Sequence, residues 1–189
     1  MKISTTAMPG VLLIEPVVHG DTRGFFLETF RENALAEHGI TTPFVQDNHS
    51  RSVQGVLRGM HYQLEQPQGK LVRVARGRVL DVAVDIRRGS PHFGQSFAVE
   101  LDDVDHRQLY IPPGFAHGFL VLSEVADFIY RCTDYYHPAS EGGVRWDDPA
   151  LEIPWPTLDA PLRVSDKDAR LPRLADIAAD RLPAYPGAT

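Results

Sequence analysis

The chain has 189 residues, 43% hydrophobic and 23% charged, with a net charge of -6. That length suffices for one domain with a sizeable core, and the acidic balance excludes generic nucleic-acid binding. An anionic ligand must therefore be met by local cations, drawn from 16 arginines and only three lysines, Lys2, Lys70 and Lys167.

Cys132 is the single cysteine. It rules out an intrachain disulfide framework, fits a reducing compartment, and reads as a small buried hydrophobe. No apolar leader with a cleavage site and no run of about 18 apolar residues is present. The expectation is a soluble, cytoplasmic protein without membrane contact.

Along the chain, HGDTRGFF at 19–26 reads as a glycine-punctuated polar turn entering an apolar strand. Its Arg23 has the planar fork that clamps a diphosphate bidentately. Arg31 to His38 is the one helical patch before position 140. Residues 46–70, QDNHSRSVQGVLRGMHYQLEQPQGK, crowd two arginines, two histidines and a lysine into strand-like sequence. From Val79 to Ile86, Leu80, Val82, Val84 and Ile86 alternate with Val79, Asp81, Ala83 and Asp85, the period of a half-buried strand. Short runs follow at Ser96 to Leu101, Gln108 to Ile111, Gly118 to Leu122 and Asp127 to Thr133, separated by turn signals such as Gly-Ser-Pro and Pro-Pro-Gly. Many short, evenly spaced strands predict an all-β jelly-roll barrel. From Asp147 the character changes: Pro149, Pro154, Pro156 and Pro161 break up a segment with tryptophans at 146 and 155, and mark an irregular C-terminal extension, about 147–189, packed on the barrel. The whole of 1–189 reads as one domain. Asp168 to Asp180 reads as a short helix, and Pro183 to Thr189 as a mobile tail.

A jelly roll with histidines raises the metal-binding cupins. Their second motif is present as Pro112-Pro113-Gly114-Phe115-Ala116-His117. The first is broken, because His61-Tyr62-Gln63 stands where His-x-His is wanted. A catalytic metal usually needs about three protein ligands, so no metal is expected. His61 and His117 are left free for proton or hydrogen-bond work.

His61 is the general-base candidate, since imidazole takes and returns protons near neutrality. Such a base is often oriented by a carboxylate; Ser165-Asp-Lys-Asp offers Asp166 and Asp168, and spacing does not choose between them. Lys70 suits a developing enolate oxygen, and Tyr130, on a strand, suits an acid acting from the opposite face. Glu28, Gln46 and Asn48 suit hydrogen bonds to a base or sugar. Tyr135-Tyr136-His137-Pro138 offers a stacking surface.

From about Gly10 to about Asp168 the chain resembles the dTDP-4-dehydrorhamnose 3,5-epimerases. The likeness rests on HGDTRGFFLETF, FVQDNHSRS, GVLRGMHYQ, QGKLVRV, VLDVAVDIRRGSPHFG, IPPGFAHGFLVLS, TDYYHP, WDDP and SDKD. The resemblance implies a cofactor-free, metal-free, cupin-like jelly-roll homodimer. Such an enzyme inverts C3 and C5 of a dTDP-linked 4-keto-6-deoxy sugar. It also implies His61 as base with Asp168 as partner, Tyr130 as proton donor and Lys70 at the C4 oxygen. Arg23, Phe26, Glu28, Gln46, Asp47, Asn48, Arg58, His117, Glu141 and Lys167 become substrate contacts, and Tyr136 stacks on thymine. An epimerase inverting C3 or C5 alone is the alternative. A metal-dependent cupin and a non-catalytic nucleotide-sugar binder are more distant ones.

Overall fold

The computed structural model describes residues 1–186. In chain order the strands are β1 (Lys2–Thr5), β2 (Leu12–Glu15), β3 (Val18–Asp21), β4 (Gly24–Leu27), β5 (Gln46–Val53), β6 (Val56–Gln63), β7 (Lys70–Arg76), β8 (Arg78–Asp85), β9 (Ser96–Asp102), β10 (Gln108–Ile111), β11 (Phe115–Val121), β12 (Val125–Cys132), β13 (Glu141–Gly143) and β14 (Arg163–Val164). Two short helices accompany them, α1 (Glu32–Ala36) and α2 (Asp166–Ala169). One sheet has the order β1-β2-β10-β7-β12-β5 and the other β13-β6-β11-β8-β9, with β14 parallel to β6. The hairpin β3-β4 is a separate two-stranded sheet. The expected all-β, cupin-like jelly roll is present, although the two sheets do not close into one continuous hydrogen-bonded ring. Among the described residues no helix is long and apolar enough to cross a membrane.

Strand alternation builds the interior. Val72, Val74, Leu109, Ile111 and Phe128 from the first sheet meet Val79, Ala83, Leu101, Phe119 and Val121 from the second. Phe128 is 1% exposed, and burying such a ring stabilises the fold by about 2–3 kcal/mol. The outer face of the first sheet, with Leu12, Ile14, Leu71 and Tyr110, is covered by Leu35 and Ile40 from the segment around α1.

Three expectations need correction. The strand around Val79 to Ile86 is not half-buried: every residue of β8 except Arg78 is buried. Its outward set, Leu80, Val82 and Val84, lies under Val144, Leu151, Leu174 and Leu182, with Trp146 and Trp155 alongside. The period of two therefore separates two apolar environments, one between the sheets and one beneath the extension. Asp81 and Asp85, which made the strand look half-solvated, are both 0% exposed and held by polar partners.

The helix expected over Asp168 to Asp180 begins and ends earlier. Ser165 caps α2 by accepting the Asp168 N–H. Pro172 disfavours helical geometry in the residue before it, leaving only 3-10 turns at Leu174–Asp176 and Ala179–Arg181.

The expected mobile tail is pinned at its start. Ala184 bridges to Arg88, and the Tyr185 N–H donates to the Arg88 carbonyl at 3.0 Å. The Arg87 guanidinium lies 4.9 Å from the Tyr185 ring centre. Residues 187–189 of that tail lie outside the described residues.

Candidate active site

Arg58 and His61 are three apart, an odd spacing that sends side chains to opposite faces of a regular strand. Here both line one cavity. The reason is a bulge: His117 pairs with His61 and Phe119 with Arg58, so Gly59 and Met60 together oppose Gly118 alone. Gly59 has φ +132°, and a Cβ on it would lie 2.6 Å from the Gly118 Cα. Glycine thus permits both the positive φ and the close approach of β6 to β11.

The cavity lies between the sheets, about 530 Å3 in volume, and adjoins a polar one of about 310 Å3. His61, Lys70 and Tyr130 line both. His61 comes from the second sheet and Tyr130 from the first, so their side chains enter from opposite walls. Lys70 opens β7, in register with Ile111 and Cys132, which fixes its place whatever the preceding loop does.

The carboxylate that reaches His61 is Asp168, 2.7 Å from Nε2; Asp166 is exposed. Asp168 is 4% exposed. Its Oδ2 accepts the Gly59 N–H at 3.2 Å and its own N–H donates to Ser165 Oγ at 3.1 Å. Burial opposes its ionisation, but the hydrogen bonds and charge of His61, with those from Gly59 and Ser165, hold its pKa below the usual carboxylate value. An ionised carboxylate only accepts, so the His61 proton sits on Nε2 and Nδ1 carries the free lone pair. Burial raises the Tyr130 pKa, keeping the phenol protonated, and lowers that of Lys70. His117 is buried, with Nε2 2.9 Å from Asp81 Oδ2, and burial lowers its pKa despite that partner.

At the mouth, Tyr136 Oη and Lys167 Nζ both donate to Glu141 Oε2, at 2.8 and 2.6 Å. Burial would raise the Glu141 pKa, but Lys167 and Tyr136 bring it down. Gln46 Nε2 donates to Asn48 Oδ1 at 3.0 Å, and the Tyr136 N–H donates to Gln46 Oε1 at 2.8 Å. The Arg58 Nε donates to Ser52 Oγ at 3.1 Å.

Four expected contacts stand apart from this cavity. Asp47 alternates to the opposite face of β5, where it accepts from Arg131 Nε at 3.3 Å. Arg23 pairs with Asp21, Glu28 pairs with Arg31, and Phe26 is 72% exposed on the β3-β4 hairpin. Conversely, Phe119, Phe128, Ser50, Val56 and Arg163 line the cavity without having been anticipated. Alternation from His117 and Tyr130 could have found the two phenylalanines; nothing local marks Arg163. Cys132 is buried as expected, its thiol pushed up to about 11 by desolvation.

Among the described residues no three His, Cys, Asp or Glu side chains are grouped to hold a metal. His61 and His117 are register partners, yet each turns to its own carboxylate.

Residues 5–176 match the family described as dTDP-4-dehydrorhamnose 3,5-epimerase. The enzyme of that name from Pseudomonas aeruginosa is 54% identical over 177 residues, 93% of this chain and 97% of that protein. The crystal structure of dTDP-6-deoxy-D-glucose-3,5-epimerase from Legionella pneumophila Philadelphia 1, in complex with dTDP-4-keto-L-rhamnose, superposes with a TM-score of 0.95 at 54% identity, covering 97% of this chain and 98% of that one. ChmJ, a 3'-monoepimerase from Streptomyces bikiniensis in complex with dTDP-quinovose, gives 0.88 at 38% identity, covering 96% and 92%. Fold and likeness together define a cupin-like sugar-nucleotide epimerase. The chain belongs to the dTDP-4-dehydrorhamnose 3,5-epimerase family.

Proposed function

We propose that the protein inverts C3 and C5 of dTDP-4-dehydro-6-deoxy-D-glucose to give dTDP-4-dehydro-L-rhamnose. The observation that carries this reading is a hydrogen-bonded His61–Asp168 pair and a protonated Tyr130 on opposite walls of one cavity, with Lys70 beside both. C3 and C5 both flank the C4 ketone, so loss of either proton produces an enolate at the same oxygen. His61 Nδ1 takes the proton from carbon, and Asp168 stabilises the imidazolium that forms. Lys70 and His117 face the oxygen on which charge develops. Tyr130 returns a proton to the opposite face of the same carbon, which inverts it. The His61 proton then leaves to solvent and Tyr130 is reprotonated, so the enzyme is reset with no net proton change. Arg58 and Lys167 supply the local cations that a diphosphate demands of an acidic protein. Tyr136 offers its ring to thymine, with Gln46, Asn48 and Glu141 bonding the nucleotide sugar.

In deuterated water the product is expected to carry deuterium at both C3 and C5. No label at either position refutes the reading. Label confined to one carbon establishes a mono-epimerase, the alternative favoured by likeness to ChmJ.

We further propose that the active form is a homodimer. The β3-β4 hairpin exposes Phe25 and Phe26 at 61% and 72% and pairs with neither main sheet. Its Arg23, Phe26 and Glu28 therefore serve the cavity of a second copy. Mixing inactive Arg23→Ala with inactive His61→Ala should restore about a quarter of the wild-type activity, because only one site in half of the dimers is then complete. A mixture as dead as its components would exclude this arrangement.

A further inference from the structure

Arg163 lines the larger cavity and has no role in the reaction proposed above. Its place follows from β14, a two-residue strand parallel to β6. Paired residues on neighbouring strands point to the same face of a sheet, and successive residues to opposite faces. Val164 is paired with Leu57, and both pack in the apolar layer beneath the C-terminal extension. Arg163 is paired with Val56, so it shares the inner face of β6 with Val56 and Arg58. The strand is closely seated. The Arg163 N–H donates to the Gly55 carbonyl at 2.8 Å, and a Cβ on Gly55 would lie 2.3 Å from the Pro161 carbonyl oxygen.

The lysines and arginines that line the cavity are Arg58, Lys70, Arg163 and Lys167. Lys167 is held by Glu141 at 2.6 Å. Lys70 stands beside His61 and Tyr130, where the keto sugar reacts. Asp168, the carboxylate in the lining, is engaged by His61 at 2.7 Å. Arg58 meets the Ser52 hydroxyl and no carboxylate. Among the described residues the Arg163 guanidinium has no hydrogen-bond or ion-pair partner, and Arg163 is exposed. Two arginines without a carboxylate partner therefore stand on one face of adjacent strands. They are about 7 Å apart along the strand direction and about 5 Å across it, so their long side chains can converge on one anion. A diphosphate that links two groups carries two negative charges, and the arginine fork matches phosphate oxygens bidentately. The hexose carbons are neutral and offer a second arginine no charge to meet.

We propose that Arg163 binds the diphosphate of the sugar nucleotide together with Arg58, and so selects a nucleoside diphosphate over the unphosphorylated nucleoside. The assignment rests on the reading that the substrate is a dTDP-sugar. Arg163 touches no reacting carbon. Its contact is the same in ground and transition states, so it acts on KM and leaves kcat alone.

Titration with dTDP and with thymidine separates recognition of the diphosphate from recognition of the nucleoside. Arg163→Ala should bind dTDP about tenfold more weakly than the wild type, the weight of a charge-assisted hydrogen bond. Its affinity for thymidine should be unchanged. Arg163→Gln, which keeps a polar side chain and removes the charge, should show the same selective loss. Because the side chain pairs with no other, the melting temperature should move by less than about 2 °C. In turnover of the dTDP-sugar, KM should rise by a similar factor with kcat little changed. Equal dTDP affinity in the wild type and Arg163→Ala overturns the proposal. So does an equal loss for dTDP and thymidine, which marks a disturbed fold instead of a lost phosphate contact. Deuterium exchange tests the epimerase reading separately. A wild type that binds dTDP through Arg163 but exchanges no deuterium upholds the phosphate contact and refutes the reaction. Exchange in the wild type with undiminished dTDP affinity in Arg163→Ala does the reverse.

Discussion

His61→Ala should lower deuterium incorporation at C3 and C5 by about 10³-fold, within the range seen when a positioned general base is removed. The remaining cavity still binds, since Arg58, Lys70, Tyr136 and Lys167 are untouched, so KM should change much less than kcat. Unchanged exchange in this variant would remove His61 from the base role. The substitution also has a stability signature. The folded Asp168 carboxyl has a depressed pKa because His61, Gly59 and Ser165 outweigh its burial. A depressed carboxylate stabilises the fold above its unfolded pKa of about 4, and that contribution disappears as the pH falls through the folded value. Without His61, much of this term is lost. The melting temperature of His61→Ala should therefore lie below that of the wild type at neutral pH. The two should converge in acid, below the folded Asp168 pKa. A difference of equal size at all pH values points instead to lost packing.

Tyr130→Phe should separate the two halves of the reaction. The ring stays, 6.1 Å from Phe128 and inside the same core, so stability should change by less than about 1 kcal/mol. Only the hydroxyl goes. His61 can still remove a proton and return a deuteron to the face it came from, so label enters the recovered substrate with configuration retained. Inversion should fall by about 10²–10⁴-fold, the contribution of a placed acid. Loss of exchange and inversion together, to the same degree, would make Tyr130 part of enolate formation. Inversion at the wild-type rate would remove it from the mechanism. Burial favours the donor role because it raises the phenol pKa and so keeps the proton in place.

Much of this site was legible in local chemistry. His61, Lys70 and Tyr130 stood out as residue types suited to proton transfer beside a carbonyl. The broken first cupin motif directed attention from metal chemistry to acid–base chemistry. Alternation placed the strands from Val79 onward to within a few residues. It misread the environment of β8, because Asp81 looks solvated when its partner His117 lies on another strand, and because the C-terminal extension that covers the outer face is distant in sequence. The Arg58–His61 spacing was opaque for a related reason. A regular strand sends them apart, and only the opposition of Gly59 and Met60 to the single residue Gly118 turns both inward. The hairpin contacts were recognised as residue types, but no local period says which cavity they serve, and none of Arg23, Phe26 or Glu28 lines the cavity of its own chain.

The sequence by itself determined the β architecture, the kinds of groups available for the chemistry, and the need for local rather than global cations. It did so because side-chain chemistry and strand period are local properties of the chain. The tertiary structure decided which carboxylate meets His61, from 107 positions away. It also placed Tyr130 on the wall opposite His61, and left Asp81 buried with one oxygen unpartnered. Those are distances between strands of different sheets. They are set by how the two sheets and the C-terminal extension pack, a long-range arrangement that no local period encodes.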